Sequence, residues 1–330
     1  MVVGGMQTQA LVVTSLIDHA AREHGDREII SLWADGREER SSWGWVHEAA
    51  RKMAQALQRL GVGKGDRVAT LAMNHLHHLA SWYGSAGMGG VLHTVNPRLF
   101  DDQLVYIINH AADRVLLFDR QFLPIVERLR PQLKTVEHFI LFDSGGEGDY
   151  RGFREWIDAE DGHFSWIELD ERDPCGLCYT SGTTGNPKGV LYFHRSNVLH
   201  AYSELQPDVF GLSSRSVILP VVPMFHANAW GIPYGAAAVG AKLVFSATND
   251  AATLWRLIRD EQVTHSAGVP TVWLSMFADM DANGGDYGVL KNVVIGGSAA
   301  PRAMIERLMR EGINVAHAWG MTETSPIGTM

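Results

Sequence analysis

The run Tyr179-Thr-Ser-Gly-Thr-Thr-Gly-Asn-Pro-Lys-Gly189 decides how the rest of this sequence is read. Gly182, Gly185 and Gly189 let the backbone turn tightly and approach a ligand closely. Hydroxyls on Thr180, Ser181, Thr183 and Thr184, with exposed backbone N–H groups, suit a nest for phosphate oxygens. Lys188 adds a full positive charge. The run is not a Walker A loop, because no Gly-Lys-Ser/Thr closes it and the helix-opening geometry is missing. The competing explanation is an ordinary polar loop with a stray lysine. Four hydroxyls, three glycines, a proline and a lysine in eleven positions weigh against that.

Immediately before the loop stands Cys175-Gly-Leu-Cys178, a spelling used in redox and zinc sites. Here it reads as a buried strand, on which positions three apart point to opposite faces. No second ligand pair is evident for a zinc ion.

Outward from the loop, helical and strand signals alternate, which points to an α/β architecture. Val46, Ala49, Ala50, Met53, Leu57 and Leu60 recur at helical spacing, with Ser41 or Ser42 as cap and Gly61 as stop. Further helices are expected over Ala251–Glu261 and Arg302–Arg310. Strands are expected over Arg67–Ala72, Val115–Phe118, Phe139–Phe142, Val217–Val222, Lys242–Phe245, Val263–Ala267 and Val293–Ile295. Asp143–Gly162 is rich in Gly, Asp and Glu without a clear period, and reads as a surface excursion. Ligands of such folds bind at the carboxyl ends of strands, where the loop after Tyr179 lies.

Composition narrows the function classes. The 330 residues include 28 basic and 37 acidic ones, a net charge of −9 with no basic run. That argues against nucleic acid or an anionic membrane surface as the main partner. No basic residue precedes Arg22, so no secretory signal is read. Ala229–Ala241 is too short to span a bilayer and is broken by Pro233. A cytoplasmic protein is expected. His75, His77 and His78 lack a nearby carboxylate or thiol in sequence, so a packed or solvated face is expected rather than a metal site. The chain stops at Met330 directly after a motif-like run, which suggests a piece of a longer product.

Three further segments carry chemistry. Ala318-Trp-Gly-Met-Thr-Glu323 offers a carboxylate suited to a hard divalent cation that bridges phosphates. Gly296-Gly-Ser-Ala-Ala-Pro301 follows a strand and leads into a helix. Pro223-Met-Phe-His-Ala-Asn-Ala-Trp230 sets a histidine among aromatic residues.

Together these four segments resemble the adenylate-forming superfamily of acyl-CoA synthetases, luciferases and peptide-synthetase adenylation domains. The resemblance runs from about Leu16 to Gly328. It is nearest to medium- and long-chain fatty-acyl-CoA synthetases and to 3-methylmercaptopropionate-CoA ligases. It implies a fold of two stacked α/β subdomains with mainly parallel sheets, the N-terminal domain of such enzymes without the C-terminal part. Residues 1–330 would form an incomplete AMP-binding domain, with approximate subdomains 60–200, holding the phosphate loop, and 1–59 plus 201–330, holding the other motifs. His93-Thr-Val-Asn-Pro-Arg98 also resembles a family segment and is read as structural.

By the same resemblance, Lys188 with Thr180, Ser181, Gly182, Thr183, Thr184 and Gly185 grips the ATP phosphates. Thr322 contacts the α-phosphate region, and Glu323 helps hold Mg²⁺. Gly297, Ser298, Ala299, Ala300 and Pro301 line the adenine pocket, joined by Trp319 and Gly320. Trp319 stands where the family commonly has Tyr. Amino-acid-activating relatives have Asp at the place of His226, so no carboxylate here awaits an ammonium group. His226 instead lies beside an acyl carboxylate, and Trp230 gates an apolar tunnel. The implied function is an AMP-forming ligase that activates a fatty acid, or a short thioether acid, with ATP and passes it to coenzyme A. The third reading is a nucleotide-binding fragment without turnover. A homodimer is the default expectation for such an enzyme.

Overall fold

The computed structural model describes residues 4–143, 145–180 and 186–330. Its main strands, in chain order, are β1 Glu28–Leu32, β2 Glu38–Ser42, β3 Arg67–Leu71, β4 Val91–Thr94, β5 Asp113–Asp119, β6 His138–Phe142 and β7 Arg151–Gly152. Then follow β8 Pro174–Tyr179, β9 Gly189–Phe193, β10 Val217–Pro220, β11 Lys242–Ser246, β12 His265–Gly268, β13 Asn292–Ile295 and β14 Asn314–His317. One seven-stranded sheet has the order β14-β13-β12-β10-β11-β1-β2, the other β7-β6-β5-β3-β4-β8-β9. Within these two sheets, the pairings among the described residues are parallel except the edge hairpins β1–β2 and β8–β9. This is the expected α/β class with mainly parallel sheets.

Strand alternation assigns each sheet an inner and an outer face. Ile29 of β1 faces a core shared with Val68, Leu117 and Phe142 of the other sheet. Its neighbour Ile30 packs outward with Leu254, Trp273 and Leu308 from the helices Ala251–Asp260, Pro270–Asn283 and Arg302–Arg310. Between the sheets lie the helices Trp43–Arg59 and Leu76–Gly87, and every residue of the second is buried. Ser42 caps the first by accepting from Trp45 N at 3.4 Å.

The helix Arg302–Arg310 has the expected bounds. Two expectations need correction. Asp143–Gly162 is not wholly a surface excursion, because the short helix Phe153–Ile157 sends Phe153, Trp156 and Ile157 into the inter-sheet core. Their spacing follows a helical face, but the run is too short for a periodic signal. Strand β10 ends at Pro220 instead of Val222. Beyond it, the buried Asn74 side chain donates to Pro220 O at 3.0 Å and Val222 O at 2.9 Å, and accepts from Met224 N at 2.6 Å. One amide thus takes over backbone groups that a longer strand would have paired.

The three histidines are all buried, and His75 and His77 take their carboxylate partners from distant sequence. His75 Nε2 lies 2.8 Å from Asp119 Oδ1, while its Nδ1 caps the helix by accepting from His78 N. His77 contacts Glu39 at 3.3 Å, and His78 Nε2 contacts Thr70 Oγ1 at 2.9 Å. Carboxylates are therefore present after all. Even so, no group of three or more metal-ligating side chains forms among the described residues. Both cysteines are free, and burial pushes the Cys175 thiol up to about 12 and that of Cys178 to about 11. Such thiols are inert. No described helix is long and apolar enough to cross a membrane.

Candidate active site

Strand β8 delivers the chain to Thr180, and β9 takes it back antiparallel from Gly189. Thr180 N donates to Lys188 O at 2.9 Å, which closes the neck of the loop. Ser181, Gly182, Thr183, Thr184 and Gly185 lie outside the described residues. Lys188 is exposed and has no ion-pair partner among the described residues. At the strand end, Tyr179 Oη lies 2.7 Å from His110 Nδ1.

A cleft of about 60 Å³ gathers most of the remaining motif residues: His226, Trp230, Gly297, Trp319, Gly320 and Thr322. Gly296, Met321 and Ile327 complete much of its wall. Residues Trp319–Gly320 form strand β15, which pairs antiparallel with β16, Ile327–Thr329. The Trp319 ring lies against Gly328 and is otherwise half exposed. Thr322 opens a 3-10 turn, and Glu323 beside it is exposed. Tyr192 of β9 donates its hydroxyl to Thr322 O at 2.7 Å. That bond joins the strand leaving the phosphate loop to the ribbon that carries Thr322.

His226 is open to solvent at one edge yet ringed by protein. Partial desolvation, with the Arg98 charge, lowers its imidazole pKa below the ordinary value. The ring is therefore neutral near pH 7 and has one N–H to donate and one nitrogen to accept. Arg98 itself lies over the Phe225 ring, 5.6 Å from its centroid.

Trp230 is buried at the end of an unusual turn. Ala227, Asn228, Ala229 and Trp230 all have positive φ, from 44° to 56°, and Gly231 follows at 82°. Left-handed backbone costs an L-residue roughly 1–2 kcal/mol, so four in succession persist only where packing holds them. The indole packs against the turn after β13: a Cβ on Gly296 would stand 3.1 Å from Trp230 Cη2. In this arrangement Trp230 fills the space between His226 and Gly296–Gly297.

The family model for AMP-binding enzymes matches residues 17–330. The chain belongs to that family. It is 48% identical over 334 residues to a 3-methylmercaptopropionyl-CoA ligase of Ruegeria lacuscaerulensis, covering 99% of this chain and 62% of the relative. It is equally 48% identical to a medium-chain-fatty-acid–CoA ligase of Ectopseudomonas oleovorans, covering 99% of this chain and 61% of that protein. The chain thus spans about three fifths of these curated relatives. Among solved structures, the inhibitor-bound N-terminal domain of FACL13 from Mycobacterium tuberculosis superposes with a TM-score of 0.84 at 26% identity. The match covers 95% of this chain and 77% of that one. An anthranilate CoA ligase, AuaEII, in complex with anthranoyl-AMP shares the fold, with a TM-score of 0.88 at 23% identity over 96% of this chain and 61% of that one.

In this AMP-binding chain, not every candidate residue meets the cleft. Ser298, Ala299 and Pro301 are exposed and Ala300 half-buried on the turn beyond it, with Pro301 immediately before the helix Arg302–Arg310. His317 Nε2 lies 3.4 Å from both Ala300 N and Ser298 O, so its tautomer decides which bond forms. Lys188 and Glu323 also lie off the cleft wall, although the Glu323 charge is felt at the Tyr192 phenol. A lone, exposed Glu323 carboxylate suits Mg²⁺, which keeps its waters and takes phosphate oxygens in place of an all-protein cage. Sequence reasoning missed Tyr192, Asn74 and Arg98 as contributors. Arg98 lies in the segment 93–98 that is read as structural, and nothing local marks Tyr192 or Asn74.

Proposed function

We propose that this chain supplies the adenylation centre of an AMP-forming acyl-CoA ligase. In the first step a carboxylate oxygen of the acid attacks the α-phosphorus of ATP. An acyl–oxygen–phosphorus linkage forms as the bond to pyrophosphate breaks. In the second step the coenzyme A sulfur attacks the acyl carbon, and AMP leaves. Several negative charges must converge in the first step, so catalysis rests on positioning and charge neutralisation.

In this reading Lys188 and the Thr180–Gly185 loop hold the β- and γ-phosphates. Thr322 orients the α-phosphate, and neutral His226 donates to a carboxyl oxygen. Gly297–Pro301, Trp319 and Gly320 hold the adenine, and Trp230 gates the acyl path. Glu323 would hold Mg²⁺, which neutralises phosphate charge when bound. The observation that carries the reading is the single cleft in which His226, Trp230, Gly297, Trp319, Gly320 and Thr322 meet. The division near residues 60 and 200 also belongs to this proposal, supported by which strands share each sheet.

Fatty acids and short thioether acids both stand as proposed substrates, each supported by a relative at 48% identity. Partial coverage of those relatives favours a second reading, in which these residues bind nucleotide without turnover by themselves. ATP–pyrophosphate exchange on this chain, across acids from 3-methylmercaptopropionate to palmitate, separates the two. Acid-dependent exchange that disappears in Lys188→Ala supports adenylation. Saturable Mg·ATP binding without exchange supports the second reading, and absence of both sinks the phosphate-site assignment.

A further inference from the structure

Glu204 ends the helix His194–Glu204 and is fully buried. Neither of its carboxyl oxygens has a hydrogen-bond partner among the described residues. His200, one turn earlier, brings Nδ1 to 3.4 Å from Oε1 without hydrogen-bond alignment. A buried carboxyl left unpartnered is unfavourable, so its placement calls for a physical reason.

What the carboxyl presses on supplies one. A Cβ on Gly231 would stand 2.7 Å from Oε1 and would meet His200 Nδ1, while a Cβ on Gly235 would meet Oε2. Gly231 is the residue that directly follows the four left-handed residues ending at Trp230. The turn is therefore held from two sides, by Gly296 against the indole and by Glu204 and His200 against Gly231. The same imidazole reaches the cleft ribbon, because Ile327 N donates to His200 Nε2 at 3.3 Å. That bond places the ring proton on Nδ1, facing Glu204.

We propose that Glu204 is a positioning residue for Trp230: through His200 and Gly231, its carboxyl holds the left-handed turn and keeps the indole against Gly296. The functional meaning of this rests on the reading that the acid enters past Trp230.

Burial pushes the Glu204 carboxyl well above its ordinary range and lowers His200 to about 4, so the imidazole is neutral near pH 7. From its own helix Glu204 faces His200. The helix Ile232–Val239 presents glycine backbone, with Tyr234 as its titratable side chain and burial pushing that phenol up. Leu212 closes the remaining side. No cation pairs with Glu204 among the described residues. A raised carboxyl pKa leaves the held turn's stability complete below the ordinary carboxyl value, and that stability is lost as pH rises from there through the folded value.

Fluorine NMR of the chain labelled with fluorotryptophan tests this, with the Trp230 signal assigned by its loss in Trp230→Phe. Glu204→Gln keeps shape and neutrality and should leave the signal in place, whereas Glu204→Leu should shift or broaden it. Raising the pH should move the wild-type signal and not that of Glu204→Gln. If Glu204→Leu does not fold, this alkaline comparison decides alone. A signal unmoved in folded Glu204→Leu, or titrating identically in wild type and Glu204→Gln, overturns the proposal. In pyrophosphate exchange, Glu204→Leu should raise the acid KM about fivefold or more and leave the ATP KM unchanged, the pattern of lost ground-state positioning. A signal that moves while the acid KM stays constant keeps Glu204 as the holder of the turn and overturns the acid-entry reading instead.

Discussion

Tyr192 donates its phenolic hydroxyl to Thr322 O across 2.7 Å. The two residues lie on elements with separate histories: β9 leaves the phosphate loop, and Thr322 sits on the ribbon of the adenine-side motif. Removing that hydroxyl frees the ribbon to shift relative to Lys188. Tyr192→Phe should cost about 1 kcal/mol in Mg·ATP binding, roughly fivefold in Kd. Calorimetry with Mg·ATP checks this, and an unchanged Kd would show the bond to be incidental.

Lys188 is exposed and has no ion-pair partner among the described residues, so folding should not depend on it. Lys188→Ala is expected to leave the unfolding midpoint unchanged while lowering ATP-dependent exchange by about a hundredfold. Near-wild-type exchange at subsaturating ATP would remove Lys188 from the phosphate site.

Trp230 fills the gap between His226 and Gly296. Its replacement by Ala opens that gap. Trp230→Ala should change the dependence on acid chain length and leave Mg·ATP affinity within about twofold, as the proposed gating role requires. Equal losses in both would mark Trp230 as a packing residue.

His226 titrates below the ordinary histidine value because it is partly desolvated and faces the Arg98 charge. Protonation then occurs only at lower pH, so the acid limb of kcat/KM should fall below 6.5, the unperturbed value. Arg98→Gln removes a neighbouring positive charge and should move that limb upward. A pH–rate profile of both proteins is the check, and a limb indifferent to Arg98 would assign it to another group.

Asn74 bridges the two sheets by holding Pro220 O, Val222 O and Met224 N, just before the His226 segment. Asn74→Ala leaves three backbone groups short of partners and should destabilise the chain by about 3 kcal/mol. Asn74→Asp keeps the acceptor for Met224 N but turns a carboxylate oxygen onto Pro220 O and Val222 O, and should cost at least as much. Denaturant unfolding measures both, and midpoints equal to that of the wild type would contradict the bridging role.

Local periodicity marked the helices expected over Ala251–Glu261 and Arg302–Arg310, whereas the longer helix Pro270–Asn283 went unassigned. The helix Arg302–Arg310 follows from spacing alone, and of the two candidate caps Ser41 and Ser42 the structure selects Ser42. Phe153–Ile157 escaped because five residues cannot establish a period. The candidate site was legible as four motifs and not as an arrangement. Gly297, Trp319, Gly320 and Thr322 meet His226 and Trp230 in one cleft, whereas Ser298–Pro301 turn away from it.

By itself, the sequence determined the α/β class, the glycine- and hydroxyl-rich motif of residues 179–189 and the want of an anion at position 226, since each depends on residue type and short-range order. Tertiary structure alone decided which polar groups find partners. His75 meets Asp119 across 44 residues, Asn74 meets Pro220 across 146, and Tyr192 meets Thr322 across 130. Burial imposes those pairings, because a polar group removed from water must be satisfied by whatever the fold brings within reach. The left-handed turn at Trp230 belongs with them. Its four positive φ angles run against the preference of every residue in it, and packing from Gly296 on one side and Gly231 on the other holds them in place.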